Sequence, residues 1–243
     1  MPTADVKKIK GIVIRLVDYK EADLIVTALS EEGLLSFYAR GARKLASKNQ
    51  AALQSLVESE FLLSLSSQGL ATLKEATPLK SFLPNDFDSC IYSSLLLEIL
   101  TRLIAEEDAS GLYSSFRFVL EGINDGKDPL TGALMFFAEA LTLAGIGLEV
   151  DSCVLCGAKN KIRTVSFTEG GYICEDCYDP ESMQTYPSMY LKILRYIFKA
   201  PIEDYGRVAL DKDYGLRVLK GLLDYTEEMT GVKLRSCDAL LEA

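Results

Sequence analysis

Residues 8–44 read KIKGIVIRLVDYKEADLIVTALSEEGLLSFYARGARK, and the spacing of apolar residues in this stretch decides the fold class. Ile12, Ile14 and Leu16 alternate with Gly11, Val13 and Arg15, the period of two that marks an extended strand with one face turned to a core. Working outward, Ile9–Val17, Leu24–Leu29, Leu34–Ala39, Glu58–Leu65 and Leu70–Ala76 predict five short strands in about 70 residues. Glu31-Glu32-Gly33 reads as a tight hairpin connection and Ser66-Ser67-Gln68-Gly69 as another. Lys48–Leu56 fits a short helix between the third and fourth strands. Five strands interrupted in this way suggest an OB-type β-barrel.

Pro78 and Pro84 then punctuate the chain, and after Asp86 the apolar period lengthens to about 3.6 residues. Helices are predicted at Ser89–Glu106, Gly111–Ile123, Pro129–Ala144, Ser188–Phe198 and Gly215–Thr230, with Pro129 suited to a first turn. The expected class is therefore α+β multidomain: an OB-fold domain at 1–80 and an all-helical domain at 81–243, with a metal-binding insertion at about 150–180.

Composition narrows the function. With 49 % hydrophobic residues and a mean hydropathy of +0.13, the chain can bury a core. No charged n-region precedes an apolar h-region, and no apolar stretch reaches the roughly 18 residues that span a bilayer, so a soluble cytoplasmic protein is expected. The sequence contains no histidine. That removes the commonest general base and the usual Ser/His and Cys/His nucleophiles, and phosphate-binding glycine motifs are also missing, so no enzyme is expected. Net charge is −9, but residues 1–80 carry eleven Lys/Arg against nine Asp/Glu, while the remainder carries 15 against 26. The two parts thus differ in electrostatic character, and DNA affinity is expected to reside mainly in the net-positive first part.

Cys153-x-x-Cys156 and Cys174-x-x-Cys177 are separated by seventeen residues, the spacing of a tetrahedral site with four thiolate ligands. Each pair presents two thiolates from one tight turn, and Gly157 and Gly170-Gly171 supply the backbone freedom such turns need. Four thiolates leave no open position for water, so one structural Zn2+ per chain is expected. A redox dithiol would come singly, before a helix. Cys90 and Cys237 read as core residues.

The other concentration of chemistry is Tyr38-Ala39-Arg40-Gly41-Ala42-Arg43-Lys44 with Ser47-Lys48-Asn49-Gln50. Arg40, Arg43, Lys44 and Lys48, with Arg15 on the first strand, are the candidate DNA-backbone contacts, and the amides of Asn49 and Gln50 can donate as well. Taken alone, such a stretch is more simply a solvated loop. On a barrel with Tyr19, Phe37 and Tyr38 available for stacking, it is the apparatus expected for single strands, although alternation must turn Phe37 or Tyr38 inward.

The runs Lys10-Gly11-Ile12-Val13-Ile14, Tyr19-Lys20-Glu21-Ala22-Asp23, Glu32-Gly33-Leu34-Leu35 and Ala39–Lys44, then Glu139-Ala140-Leu141, the two C-x-x-C pairs and Leu234-Arg235-Ser236, resemble bacterial RecO over nearly the full chain. The resemblance implies a DNA repair and recombination mediator of the RecFOR pathway. Such a protein binds single- and double-stranded DNA, anneals strands, and with RecR helps load RecA on gaps coated by single-strand-binding protein, whose acidic C-terminal tail it binds. It also implies a cytoplasmic, nucleoid-associated location. For that tail the candidates are Arg195 and Lys199 on one helix and Arg217 and Lys220 on the next, each pair sharing a helical face; the plainer reading is solvated charges balancing Glu203, Asp204 and Asp213. A zinc-ribbon and OB-fold RNA-binding or transcription-associated factor is the competing assignment.

Overall fold

A computed structural model describes residues 5–65 and 71–241. The chain divides into two compact units, Met1–Asn85 with Ala105–Asn124, and Asp86–Ile104 with Asp125–Ala243. In the first, β1 (Asp5–Tyr19), β2 (Asp23–Ser30), β3 (Gly33–Ala39), β4 (Val57–Leu65) and β5 (Ala71–Ser81) form a closed barrel in the order β1-β2-β3-β5-β4. Closure depends on the length of β1, whose first half pairs with β4 and whose second half pairs with β2. The short β3–β5 contact, Phe37 with Ala71 and Tyr38 with Thr72, is parallel, and the other pairs are antiparallel. This is the OB-like barrel expected from the alternation. The predicted Ser66–Gly69 turn and Leu70 lie outside the described residues.

Ile9, Val13, Val26, Ala28, Phe37, Phe61 and Leu63 fill the barrel. A register shift between Val13 and Arg15 corrects the simple alternation read from β1. The inserted residue turns the strand over, so Leu16, though itself exposed, pairs with Val26 on the same side as Val13, while Arg15, Val17 and Tyr19 fall outward opposite Thr27, Ile25 and Asp23. The predicted helix at Lys48–Leu56 is only a 3-10 turn at Ala51–Leu53. Its Ala52 and Leu53, with Ala42, join the barrel core, so this connection is a packed segment.

The expected domain division at residue 80 is corrected at one point. Residues 105–124, containing a 3-10 turn at Ala109–Leu112 and α2 (Tyr113–Asn124), belong to the barrel unit. The physical reason is Glu58 on β4, whose side chain is 2 % exposed. A buried carboxylate needs donors, and it receives the Tyr113 hydroxyl and the Arg117 guanidinium of α2, each at 2.9 Å, with Lys10 at 3.3 Å. Burial alone would raise this carboxyl, but these donors and charges outweigh it and hold the pKa below the ordinary value.

The second unit contains α1 (Phe87–Arg102), α3 (Pro129–Leu143), α4 (Ser188–Lys199), α5 (Lys212–Thr230) and the short α6 (Asp238–Leu241). Asp86, Asp128 and Asp211 cap α1, α3 and α5 by accepting backbone N–H bonds from Ser89, Thr131 and Tyr214. Between α3 and α4 lies a hairpin of β6 (Ile162–Ser166) and β7 (Gly171–Cys174). Cys237 is buried as expected, but Cys90 is exposed on α1, a correction to its assignment as a core residue. No helix among the described residues is long and apolar enough to cross a membrane.

Candidate nucleic-acid interface and metal centre

On the outer face of β1, β2 and β3 the register sets Arg15 beside Thr27 and Ser36, and Val17 beside Ile25 and Tyr38. Arg15, Val17 and Tyr19 are exposed, and Phe37 points into the core, which leaves Tyr38 as the outward ring of that pair. Tyr19 and Tyr38 meet edge to face with ring centroids 5.8 Å apart, and the Lys20 ammonium stands 5.2 Å from the Tyr19 ring centroid. A β-sheet face that presents aromatics and cations together can stack bases while holding phosphates.

Arg40, Arg43, Lys44 and Lys48 follow on the turn that leaves β3, and all four are exposed. Gly41 takes a left-handed φ of 65°, which starts the turn. The turn is clasped from the β1–β2 hairpin. Gly41 N–H donates to Asp23 Oδ1 at 2.7 Å, Tyr38 hydroxyl donates to Asp23 Oδ2, and Arg43 N–H donates to Ala22 O at 2.9 Å. Asn49 Oδ1 accepts from Ala76 N–H at 3.1 Å, so this residue, expected as a DNA donor, tethers the far end of the segment with its carbonyl. Arg43 pairs with Asp18 at 3.0 Å, whereas no carboxylate among the described residues lies within ion-pair distance of Arg15, Arg40, Lys44 or Lys48. The sequence reading gave no role to Lys20 and Asp23, although both lie in the Tyr19–Asp23 run that carries the family resemblance.

The four cysteines converge. The Sγ atoms of Cys153, Cys156, Cys174 and Cys177 lie within 4.8 Å of one another. Four thiolates at about 2.3 Å from a common centre would stand about 3.8 Å apart, so the set fits a tetrahedral metal ion. Gly157 N–H closes the first knuckle on Cys153 O at 2.8 Å, and Cys177 N–H closes the second on Cys174 O at 3.2 Å. Burial opposes ionisation of Cys153, but N–H groups of Cys174, Cys156 and Leu155 outweigh it and lower its thiol to about 6. A Cβ at Gly171 would lie 2.4 Å from Glu149 O, so only glycine lets β7 approach the strand-like segment that leads to Cys153. Beyond the second knuckle, Tyr178 carries the Arg163 guanidinium over its ring and bonds Thr185 Oγ1 at 2.9 Å, tying the cluster to the segment that enters α4.

Three of the four candidate tail-binding cations, Arg195, Lys199 and Lys220, are engaged in ion pairs. Arg195 and Lys199 share a face of α4, as their spacing requires, but both meet Asp151 rather than Glu203, Asp204 or Asp213. Lys220 pairs with Asp224 at 2.9 Å, and the Arg217 guanidinium lies 5.6 Å from the Tyr214 ring centroid. Arg217 and Lys220 nevertheless rim a groove of about 360 Å³ with Tyr186, Pro187, Tyr190 and Gly221.

Comparison with known proteins bears on the whole chain. Residues 4–82 match the family model described as recombination protein O, N terminal, and residues 84–238 match the one described as recombination protein O, C terminal. The chain is 27 % identical to the DNA repair protein RecO of Listeria monocytogenes serotype 4b over 97 % of this chain and 94 % of that one. It is 28 % identical to the same-named protein of Halalkalibacterium halodurans, over 94 % and 92 % of the two chains. With that of Bacillus pumilus the identity is 30 %, over 94 % and 91 %. Both parts of the family pattern are thus present, in order and almost end to end, and the chain belongs to the RecO family of DNA repair proteins.

Proposed function

We propose that this chain is a recombination mediator that works by binding rather than by covalent chemistry. It grips single- and double-stranded DNA through the outer face of β1–β3 and the basic turn, and it anneals strands. With RecR it helps RecA load on gaps coated by single-strand-binding protein. The observation that carries the DNA part is the clasped Arg40–Lys48 turn, whose backbone is held at both ends while its cations face solvent beside Tyr19 and Tyr38. A packed, anchored turn gives phosphates several cations at little ordering cost, which a loose basic loop does not. The steps with RecR and RecA rest on family membership. For the acidic tail of single-strand-binding protein, the groove beside Arg217 and Lys220 is the better candidate, because Arg217 has no ion pair among the described residues whereas Arg195 and Lys199 both meet Asp151.

In this reading the cysteine cluster holds one Zn2+ through Cys153, Cys156, Cys174 and Cys177. The ion is structural, since four thiolates complete its coordination and leave no position for substrate.

Titration of the protein against labelled single-stranded DNA at several salt concentrations tests the assignment. Replacing Arg40, Arg43 and Lys44 together by Ala should weaken binding on unrelated sequences and flatten the plot of log affinity against log salt by about two units, at about 0.7 per phosphate contact. Equal affinity of parent and variant at low salt would refute the assignment of the turn. Preference for RNA over DNA of matched sequence would favour an RNA-binding factor instead.

A further inference from the structure

Beside the basic turn stand carboxylates, Asp18 and Asp23 among them, where electrostatics alone would favour none. Asp18 forms an exposed ion pair with Arg43. Asp23 is built in differently. It stands at the start of β2, and its two carboxylate oxygens take separate donors, the Tyr38 hydroxyl and the Gly41 N–H. One donor carries a ring of the outer face, and the other opens the basic turn. The neighbouring Ala22 O accepts from Arg43 N–H, so the hairpin turn holds the end of β3 at Tyr38 and the basic turn at Gly41 and Arg43. The Tyr38 and Gly41 donors, with Lys20 and Arg40 nearby, hold the Asp23 carboxyl below the usual carboxylate range and keep it ionised.

We infer that Asp23 is a positioning residue of the DNA-binding surface: it fixes the Tyr38 ring and the left-handed Gly41 turn relative to each other, so that aromatic and cations meet one strand together. This rests on the DNA reading above. Its negative charge subtracts from the attraction for phosphate, and its two hydrogen bonds return more than that by removing the freedom of the turn before DNA arrives. The two effects have opposite signs, so they can be separated.

The test compares Asp23→Ala and Asp23→Asn in the full-length protein. Both substitutions delete the charge. Only Asn can still accept from Gly41 N–H while its amide donates to the Tyr38 hydroxyl oxygen. Asp23→Ala should lower affinity for a labelled oligothymidine about tenfold and flatten the salt dependence, because the cations no longer engage as a set. Asp23→Asn should stay within about threefold of the parent with its salt slope intact. If both variants bind tighter by the same factor, Asp23 is only an unfavourable charge and the inference is overturned. Hydrogen exchange without DNA provides an independent reading: the Gly41–Lys44 amides should exchange faster in Asp23→Ala than in Asp23→Asn or the parent. Unchanged exchange in Asp23→Ala would overturn the inference even if DNA binding fell. A parent protein that binds no DNA, with exchange behaving as expected, would instead refute the DNA reading and leave the positioning of the turn standing.

Discussion

At the scale of the residue, one carboxylate does more for the barrel unit than any surface pair. Glu58 is buried with three partners, whereas Lys8–Glu60 and Lys7–Glu32 are exposed pairs of little consequence to stability. Replacing Glu58 by Gln keeps the shape but leaves Arg117 and Lys10 without their common anion. It should cost about 1–3 kcal/mol at neutral pH, measured by urea unfolding. The carboxyl is held below its ordinary 4.5, so its contribution is complete above that value and is lost as pH falls through the lower, folded-state value. The parent should therefore lose stability below about pH 4.5 more steeply than Glu58→Gln. Parallel acid limbs in the two proteins would show that Glu58 is not ionised in the fold.

At the scale of the element, the cysteine hairpin is four short pieces: two knuckles and the strands β6 and β7. Cys174 lies at the end of β7 and is buried, so Cys174→Ser removes one of the four converging thiols. Atomic absorption should find about one zinc per chain in the gently purified parent and a marked loss in the variant. Thermal stability should drop with it, because metal binding and local folding are coupled. Affinity for DNA per folded molecule should change little. Parent protein that is free of metal with its thiols reduced would remove the ion from this account. The spacing of the cysteines was enough to foresee that they would meet. Alternation likewise located the strands, and Asp86, Asp128 and Asp211 mark helix starts close to those expected from periodicity. Other features were hidden for identifiable reasons. The register shift after Val13 costs one residue and leaves no mark in hydropathy, so Leu16 was grouped with Ile12 and Ile14 rather than with Val13. β7 is buried along all four residues and carries no period of two to detect. The clasp at Asp23 joins residues fifteen and eighteen positions apart, and nothing local to Asp23 reports its partners.

At the scale of the whole molecule, periodicity separated strands from helices but could not say which helices serve which unit. α2 reads as one helix among several, yet Tyr113 and Arg117 complete the environment of Glu58, and Asn124 Nδ2 bonds Ser81 O at 3.0 Å at the end of β5. A fragment ending at Asn85 lacks all of these donors. It should melt well below the full-length protein and recover stability when Tyr113–Asn124 is joined to it through a flexible linker. Circular dichroism against temperature measures both. A fragment 1–85 as stable as the longer one would mean that the barrel is complete without α2.

The order of the two units along the chain also bears on how the protein is made. Each unit is written in two pieces, and α1, which belongs to the second, is translated before the residues that finish the first. At about 5–20 residues per second, the roughly 40 positions from Asp86 to Asn124 take about 2–8 s to synthesise. Through that interval all five strands of the barrel are already part of the nascent chain while the carboxylate of Glu58 still awaits its arginine, and it is then that a holding chaperone would have most to offer.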